Sequence, residues 1–195
     1  MGRPREFEPA TALEQAVHLF WEKGYEETSF DDIVAATNVS RYGLYGAFGS
    51  KRDMFRKALG EYAQTVMGAY QAELRAPDAS LPQIHDYFQT MLNFAENQAA
   101  GRGCLICNTA IEVAPHDEEI AGDVRRLFDE VTAVFRHALE NAKTKREIAP
   151  KTNIDSCAVS LTGLIQSSAL MVRVGYPMST VRLNIDAALS RLDHR

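Results

Sequence analysis

The chain has 195 residues, 46% hydrophobic and 24% charged, a balance that fits one or two folded domains and excludes fibrous and low-complexity chains. Its formal net charge of −5 excludes a protein that is basic throughout, so any binding of nucleic acid has to come from a local patch. Three cysteines, an odd number, argue against a disulfide framework, the charged segment Met1–Glu8 lacks the apolar core of a signal peptide, and the longest apolar run, 158–174, is too short and too polar to span a membrane, so a cytoplasmic protein is expected.

Residues 1–8 read as a short basic arm. Arg3 and Arg5 either enter an A·T-rich minor groove, where a narrow groove attracts arginine, or belong to a solvated tail. Residues 9–24 read as a first helix, with Ala12, Leu13, Ala16, Val17, Leu19 and Phe20 at helical spacing and Gly24 as its C-terminal cap. Thr28 and Ser29 open a second helix, Ser29 forming a capping box with Asp32. The same helix end is a candidate phosphate site, and capping and phosphate binding are compatible. After Ile33 and Val34, the run Thr37-Asn38-Val39 makes a tight turn, with Asn38 suited to a left-handed conformation. Ser40 caps a third helix that turns Val39, Leu44 and Phe48 inward and Arg41, Tyr42, Gly43, Tyr45 and Gly46 outward. An outward face of Arg, Tyr and Gly suits the DNA major groove, with Arg41 and Tyr42 as base readers and Gly43 permitting close approach. This is a helix-turn-helix arrangement. Arg41 to Lys57 holds five basic residues against one acid, Asp53, whereas the whole-chain count conceals that patch.

The stretch from Ala12 to Phe55 resembles the DNA-binding domain of the TetR family of bacterial transcriptional regulators. Phe20, Gly24, Tyr25, Thr28 and Ile33, then Leu44, Tyr45, Phe48, Lys51 and Phe55, stand where that family's pattern places them. The resemblance implies that Tyr45 and Lys51 contact phosphates and that residues 1–49 form the DNA-binding domain. It further implies that residues 50–195 form an effector-binding and dimerisation domain. The expected fold is therefore all-α, a three-helix head followed by a helical body. The expected partners are a double-stranded operator, a second copy through the last two helices, and an unidentified small molecule.

A fourth helix, opened by a capping box at Ser50 and Asp53, runs to about Leu74, on the order of 35 Å, and joins head to body. Residues 76–80 form a loop. Helices then follow over about 81–97, 104–114, 116–143, 153–174 and 179–192, with no strand alternation. An aromatic and methionine stripe makes Met67, Tyr70, Tyr87, Phe88, Met91, Phe94, Phe128, Val131 and Phe135 candidates for an effector pocket, with Gln166 as a polar member. The competing reading is ordinary core.

Cys104 and Cys107 are two further pocket candidates. Their CxxC spacing lacks the second ligand pair of a zinc site and the strand–turn–helix setting of a thioredoxin, so no metal and no cofactor are expected. Either they are core thiols, or Cys104, near a helix start and beside Arg102, is a thiolate that senses oxidants or electrophiles. The five histidines are scattered and no HExxH, GxSxG, P-loop or dinucleotide motif occurs, so no catalysis is expected. Glu112 is read as a pocket polar group and Asp155 as a cap. The expected function is a one-component regulator, by default a repressor released from a palindromic operator by a small-molecule or thiol-reactive effector. The alternative is a helical protein-interaction module.

Overall fold

The computed structural model describes residues 7–99 and 101–192. Arg3 and Arg5, the expected minor-groove arm, lie outside the described residues. All regular structure among the described residues is helical: α1 (Pro9–Lys23), α2 (Phe30–Thr37), α3 (Arg41–Phe48), α4 (Lys51–Tyr62), α5 (Gly68–Gln71), α6 (Leu81–Phe94), α7 (Leu105–Glu112), α8 (Glu118–Thr144), α9 (Ile154–Arg173) and α10 (Met178–Leu189).

The head forms as its periodicity requires. Ala12, Ala16, Phe20 and Trp21 of α1, Ile33 of α2, Leu44 and Phe48 of α3, and Met54, Phe55 and Ala58 of α4 are all buried together. Phe20 and Phe55 meet edge to face at 4.9 Å. Asn38 takes the left-handed conformation, φ 51 and ψ 29, that the α2–α3 turn demands. The Ser40 hydroxyl caps α3 by accepting from the Gly43 amide at 3.1 Å.

The fourth helix is not the uniform rod expected to Leu74. After Tyr62 it passes through a π-helical turn, Ala63–Met67, and ends as α5 at Gln71. A second π-helical turn, Ala95–Ala99, extends α6. Such turns add a residue to the helical ladder and cluster at functional sites; both lie beside the cavity described below.

The body packs α8 against α9 and α6, with Ile120, Val124, Leu127, Val131, Val134, Phe135 and Leu139 on the inner stripe of α8. Phe135 stacks on Phe88 at 5.8 Å and meets Tyr87 at 5.2 Å. Asn153, not Asp155, caps α9, by accepting from the Ser156 amide at 3.0 Å; Asp155 pairs with Arg136 on α8 at 2.7 Å.

Head and body are joined by ions as well as by core. Arg52 reaches Asp117 at 2.6 Å and Glu119 at 2.7 Å, and Arg56 reaches Asp123 at 2.6 Å and also pairs with Glu119. Asp117 simultaneously caps α8, accepting from the Glu119 and Ile120 amides. Hydrogen bonds from Arg52, then from the Ile120 amide, hold the Asp117 carboxyl well below the usual carboxylate range. A folded-state value below the unfolded one means stability that is present above the unfolded value and lost as pH falls through the folded one. The melting temperature should therefore fall as pH drops below about 4. Asp117→Asn should melt lower than wild type at neutral pH and show a shallower acid slope, both checked by thermal melts across pH.

Candidate nucleic-acid interface and effector cavity

The outward face of α3 consists of Arg41, Tyr42, Tyr45 and Gly46. Tyr42 is 90% exposed, so its ring and hydroxyl stand clear of the protein. Tyr45 stacks on Phe30 with ring centroids 4.3 Å apart and planes within 9°. The Arg41 guanidinium lies over the same Phe30 ring, 5.2 Å from its centroid, and pairs with Asp31. Phe30 and Asp31 of α2 thus position Arg41 and Tyr45 before any DNA arrives. Phe30 escaped the sequence reading, although an aromatic at the first position of so short a helix, off its inner stripe, was a usable signal.

Three expected contacts sit differently. Thr28 is fully buried and its hydroxyl donates to the Gly24 carbonyl at 2.6 Å, so it closes the α1–α2 turn instead of facing a phosphate. Gly43 is half-buried, and a Cβ there would stand 3.1 Å from Val39 and 3.2 Å from the Ser40 hydroxyl. The glycine that leaves open space on the outer face is Gly46, where a Cβ would meet nothing within 4 Å. Lys51 points inward: its ammonium donates to the Tyr25 carbonyl at 2.9 Å and the Thr28 carbonyl at 3.0 Å, above the Tyr25 ring. Ser29 is exposed and makes its capping box, accepting from the Asp32 amide at 3.0 Å while its own amide donates to Asp32 at 2.8 Å.

In the body, Met67, Tyr70, Met91, Phe94 and Cys104 line one narrow cavity with about 50 Å³ of open space. Tyr62, Tyr87, Ile165, Ser168 and Val172 complete its wall. The other pocket candidates do not reach it. Phe88, Val131 and Phe135 are sealed in the core, because the helix that turns Tyr87 and Met91 to the cavity turns Phe88 toward α8. Phe128 packs half-buried on the core, and Gln166 is exposed on the outer face of α9. Cys107 is buried one turn beyond Cys104. Ser168 was missed, though its spacing from Leu161, Leu164, Ile165 and Val172 placed it on the inner face of α9.

Cys104 is the N-cap of α7. A hydrogen bond from the Cys107 thiol, with others from the α7 backbone and Tyr62, holds the Cys104 thiol below its ordinary range despite burial. The bond to Cys104 and burial raise Cys107. Arg102, the expected thiolate partner, instead lies over the Trp21 ring at 4.3 Å.

Short as it is, α7 touches both regions. At its start, the Gly103 carbonyl accepts from the Trp21 indole of α1 at 3.1 Å. Gly103 has φ +65, and a Cβ there would stand 2.9 Å from the Ala169 carbonyl of α9, so only glycine lets this corner close. At its far end Glu112, expected in the pocket, faces the head instead. Its carboxylate accepts from the backbone amides of Tyr25 at 3.2 Å and Glu26 at 2.8 Å, directly after Gly24. That turn leaves two backbone donors open, and a carboxylate satisfies both. Among the described residues no cluster of three or more His, Cys, Asp or Glu could hold a metal, and no helix is long and apolar enough to cross a membrane.

Residues 12–58 match the family model for bacterial regulatory proteins of the tetR family, and residues 80–183 match that of the tetracyclin repressor-like C-terminal domain. The HTH-type transcriptional regulator YezE of Bacillus subtilis (strain 168) is 34% identical over 194 residues, 99% of this chain and 100% of its own length. The chain belongs to the TetR family. The HTH-type transcriptional repressor ComR of Escherichia coli (strain K12) is 29% identical over 175 residues, 89% of this chain and 83% of its own. A cysteine mutant of the TetR-family regulator CifR, complexed with 26 bp double-strand operator DNA, has the same fold, with a TM-score of 0.86, 24% identity and coverage of 96% and 98% of the two chains.

Membership answers the alternative of a pure protein-interaction module: this chain belongs to a family of helix-turn-helix transcriptional regulators. The outer faces of α9 and α10 carry Val159, Leu170, Val174 and Leu183, each at least half exposed in the single chain.

Proposed function

We propose that this regulator represses transcription from a palindromic operator and releases it when a small-molecule or thiol-reactive effector enters the cavity beside Cys104. The observation that carries the reading is α7, whose N-cap Cys104 and the preceding Gly103 line the cavity and whose last residue, Glu112, holds the α1–α2 turn of the DNA-binding head. An effector that displaces the start of α7 moves the clamp at its end. A ligand shifts an equilibrium only by its differential affinity for two states, and here the states differ in the placement of the heads.

The remaining assignments follow. Helices α9 and α10 pair with those of a second copy and set two recognition helices at half-sites one turn apart, roughly 34–36 Å. Residues 1–49 read DNA and residues 50–195 bind the effector and dimerise, with α4 shared mechanically between them. The protein acts in the cytoplasm and carries out no catalysis. Arg41 and Tyr42 read bases, Tyr45 and Ser29 meet the backbone, and Gly46 allows α3 to approach the groove.

The test is fluorescence anisotropy of the protein against its own upstream intergenic DNA and a scrambled duplex at two salt concentrations. Preferential binding that weakens with salt, as counterion release demands, is the expected result. Arg41→Ala and Tyr42→Ala should each cost about 1–3 kcal/mol and narrow the gap between native and scrambled DNA. Equal binding of both duplexes by wild type would overturn site-specific repression at that operator.

A further inference from the structure

The cavity has one feature that packing does not explain. Ser168, on the inner face of α9, is 1% exposed, lines the cavity, and its hydroxyl has no hydrogen-bond partner among the described residues. A buried hydroxyl left unpaired opposes folding, and native structures keep such a group where something else uses it. The rest of the wall is apolar or aromatic, with polar atoms on Tyr62, Tyr70, Tyr87 and Cys104 and no Asp, Glu, Lys, Arg or His. A carboxylate would enter without a counter-charge, at a large cost, and an ammonium has no oxygen to accept from the Ser168 hydroxyl.

We infer that Ser168 is the polar anchor of the effector site: the cavity takes a small, uncharged molecule with a short apolar body and a hydrogen-bond-accepting oxygen, and the Ser168 hydroxyl donates to that oxygen. The inference rests on the cavity being the effector site, as proposed above. The open space fits a molecule of only a few heavy atoms. Access runs past Tyr70 and Phe94, which line both this cavity and the open groove between α1 and α4–α5. The two π-helical turns, Ala63–Met67 and Ala95–Ala99, lie next to these two residues. They are places where the helical ladder is already loosened, so the rings can part there without breaking a regular helix.

A matched pair of probes tests the anchor: butan-2-one and 2-methylbut-1-ene, alike in shape, differing in a carbonyl oxygen against a methylene. The chain has one tryptophan, and Trp21 stacks on the cavity residue Phe94 at 5.9 Å, so its fluorescence reports occupancy. Wild type should bind the ketone about tenfold more tightly than the alkene, the value of one net hydrogen bond. Ser168→Ala should lose the wild-type preference for the ketone, whose carbonyl oxygen is then unpaired in an apolar cavity, keep the wild-type affinity for the alkene, and melt higher than wild type without ligand. No discrimination by wild type, retained discrimination by Ser168→Ala, or a lower melting temperature of that variant would each overturn the anchor. So would the absence of any Trp21 response to either probe. The release reading fails separately. Ketone binding that depends on Ser168 but leaves operator affinity unchanged supports the anchor and removes the cavity's regulatory role. Release by a thiol reagent without ketone discrimination removes the anchor alone.

Discussion

Lys51→Ala should lose operator binding and thermal stability together. The ammonium ties the Tyr25 and Thr28 carbonyls, on either side of the α1–α2 turn, to the first turn of α4. Thr28 is fully buried and Lys51 is half-buried, so truncation takes the ammonium from both carbonyls, leaving that of Tyr25 with the Thr28 amide at 3.3 Å, and strips a cation from the Tyr25 ring. Hydrogen bonds to a charged group contribute about 1.5–3 kcal/mol, and a loss of about 2–3 kcal/mol in unfolding free energy is expected by denaturant titration. DNA affinity should drop on every duplex, native or scrambled, because the whole head is loosened. A variant that kept full stability while losing DNA binding would instead make Lys51 a plain phosphate ligand. The family resemblance alone implied that role, and it differs from the one the geometry supports.

Cys104→Ser should make the operator complex resistant to N-ethylmaleimide. The Cys104 sulfur adds to the maleimide double bond, forming one C–S bond while the neighbouring carbon takes the proton. The adduct is larger than the cavity and has to push α7 or α6 aside. Cys107, whose thiol donates to Cys104, and Cys157, raised by burial, are both poorer nucleophiles at neutral pH. Thiolate fraction sets the rate, so labelling followed by mass spectrometry should find Cys104 modified first, with wild-type DNA released in step. Cys107→Ser keeps a hydroxyl donor and should slow the reaction much less than Cys104→Ser. If Cys104→Ser were released at the wild-type rate, the thiol would have no part in regulation.

The head was legible because each of its elements is specified locally. The capping residues Ser29, Ser40 and Ser50, the left-handed Asn38, and the inward spacing of Phe20, Ile33, Leu44 and Phe55 depend on neighbours a few positions away. The helices of the body were legible for the same reason, to within two or three residues. The cavity was not. Phe88 and Tyr87 are adjacent in sequence, equally aromatic and both buried, yet only Tyr87 also lines the cavity, a difference set by where α8 and α9 cross α6. Glu112 and Lys51 were misplaced for a related reason. Each satisfies backbone groups of a turn near Gly24 that lies 23 to 87 residues away in the chain, and periodicity carries no information about such partners. The π-helical turns also left no local mark: Ala63–Met67 continues an apolar period that reads as ordinary helix.

The clamp between Glu112 and the amides of Tyr25 and Glu26 has a consequence for how the regulator is used across a genome. If the operator holds the head in the position that Glu112 grips, then DNA, in holding the head, also holds α7 over the cavity. By thermodynamic linkage each ligand weakens the other by the same factor. A promoter with a tight operator would then shed its repressor only at a high effector dose, and one with a weak operator at a low dose. A single chain could stage several promoters along a concentration gradient of one compound, with the order of their opening written in the operators and not in the protein.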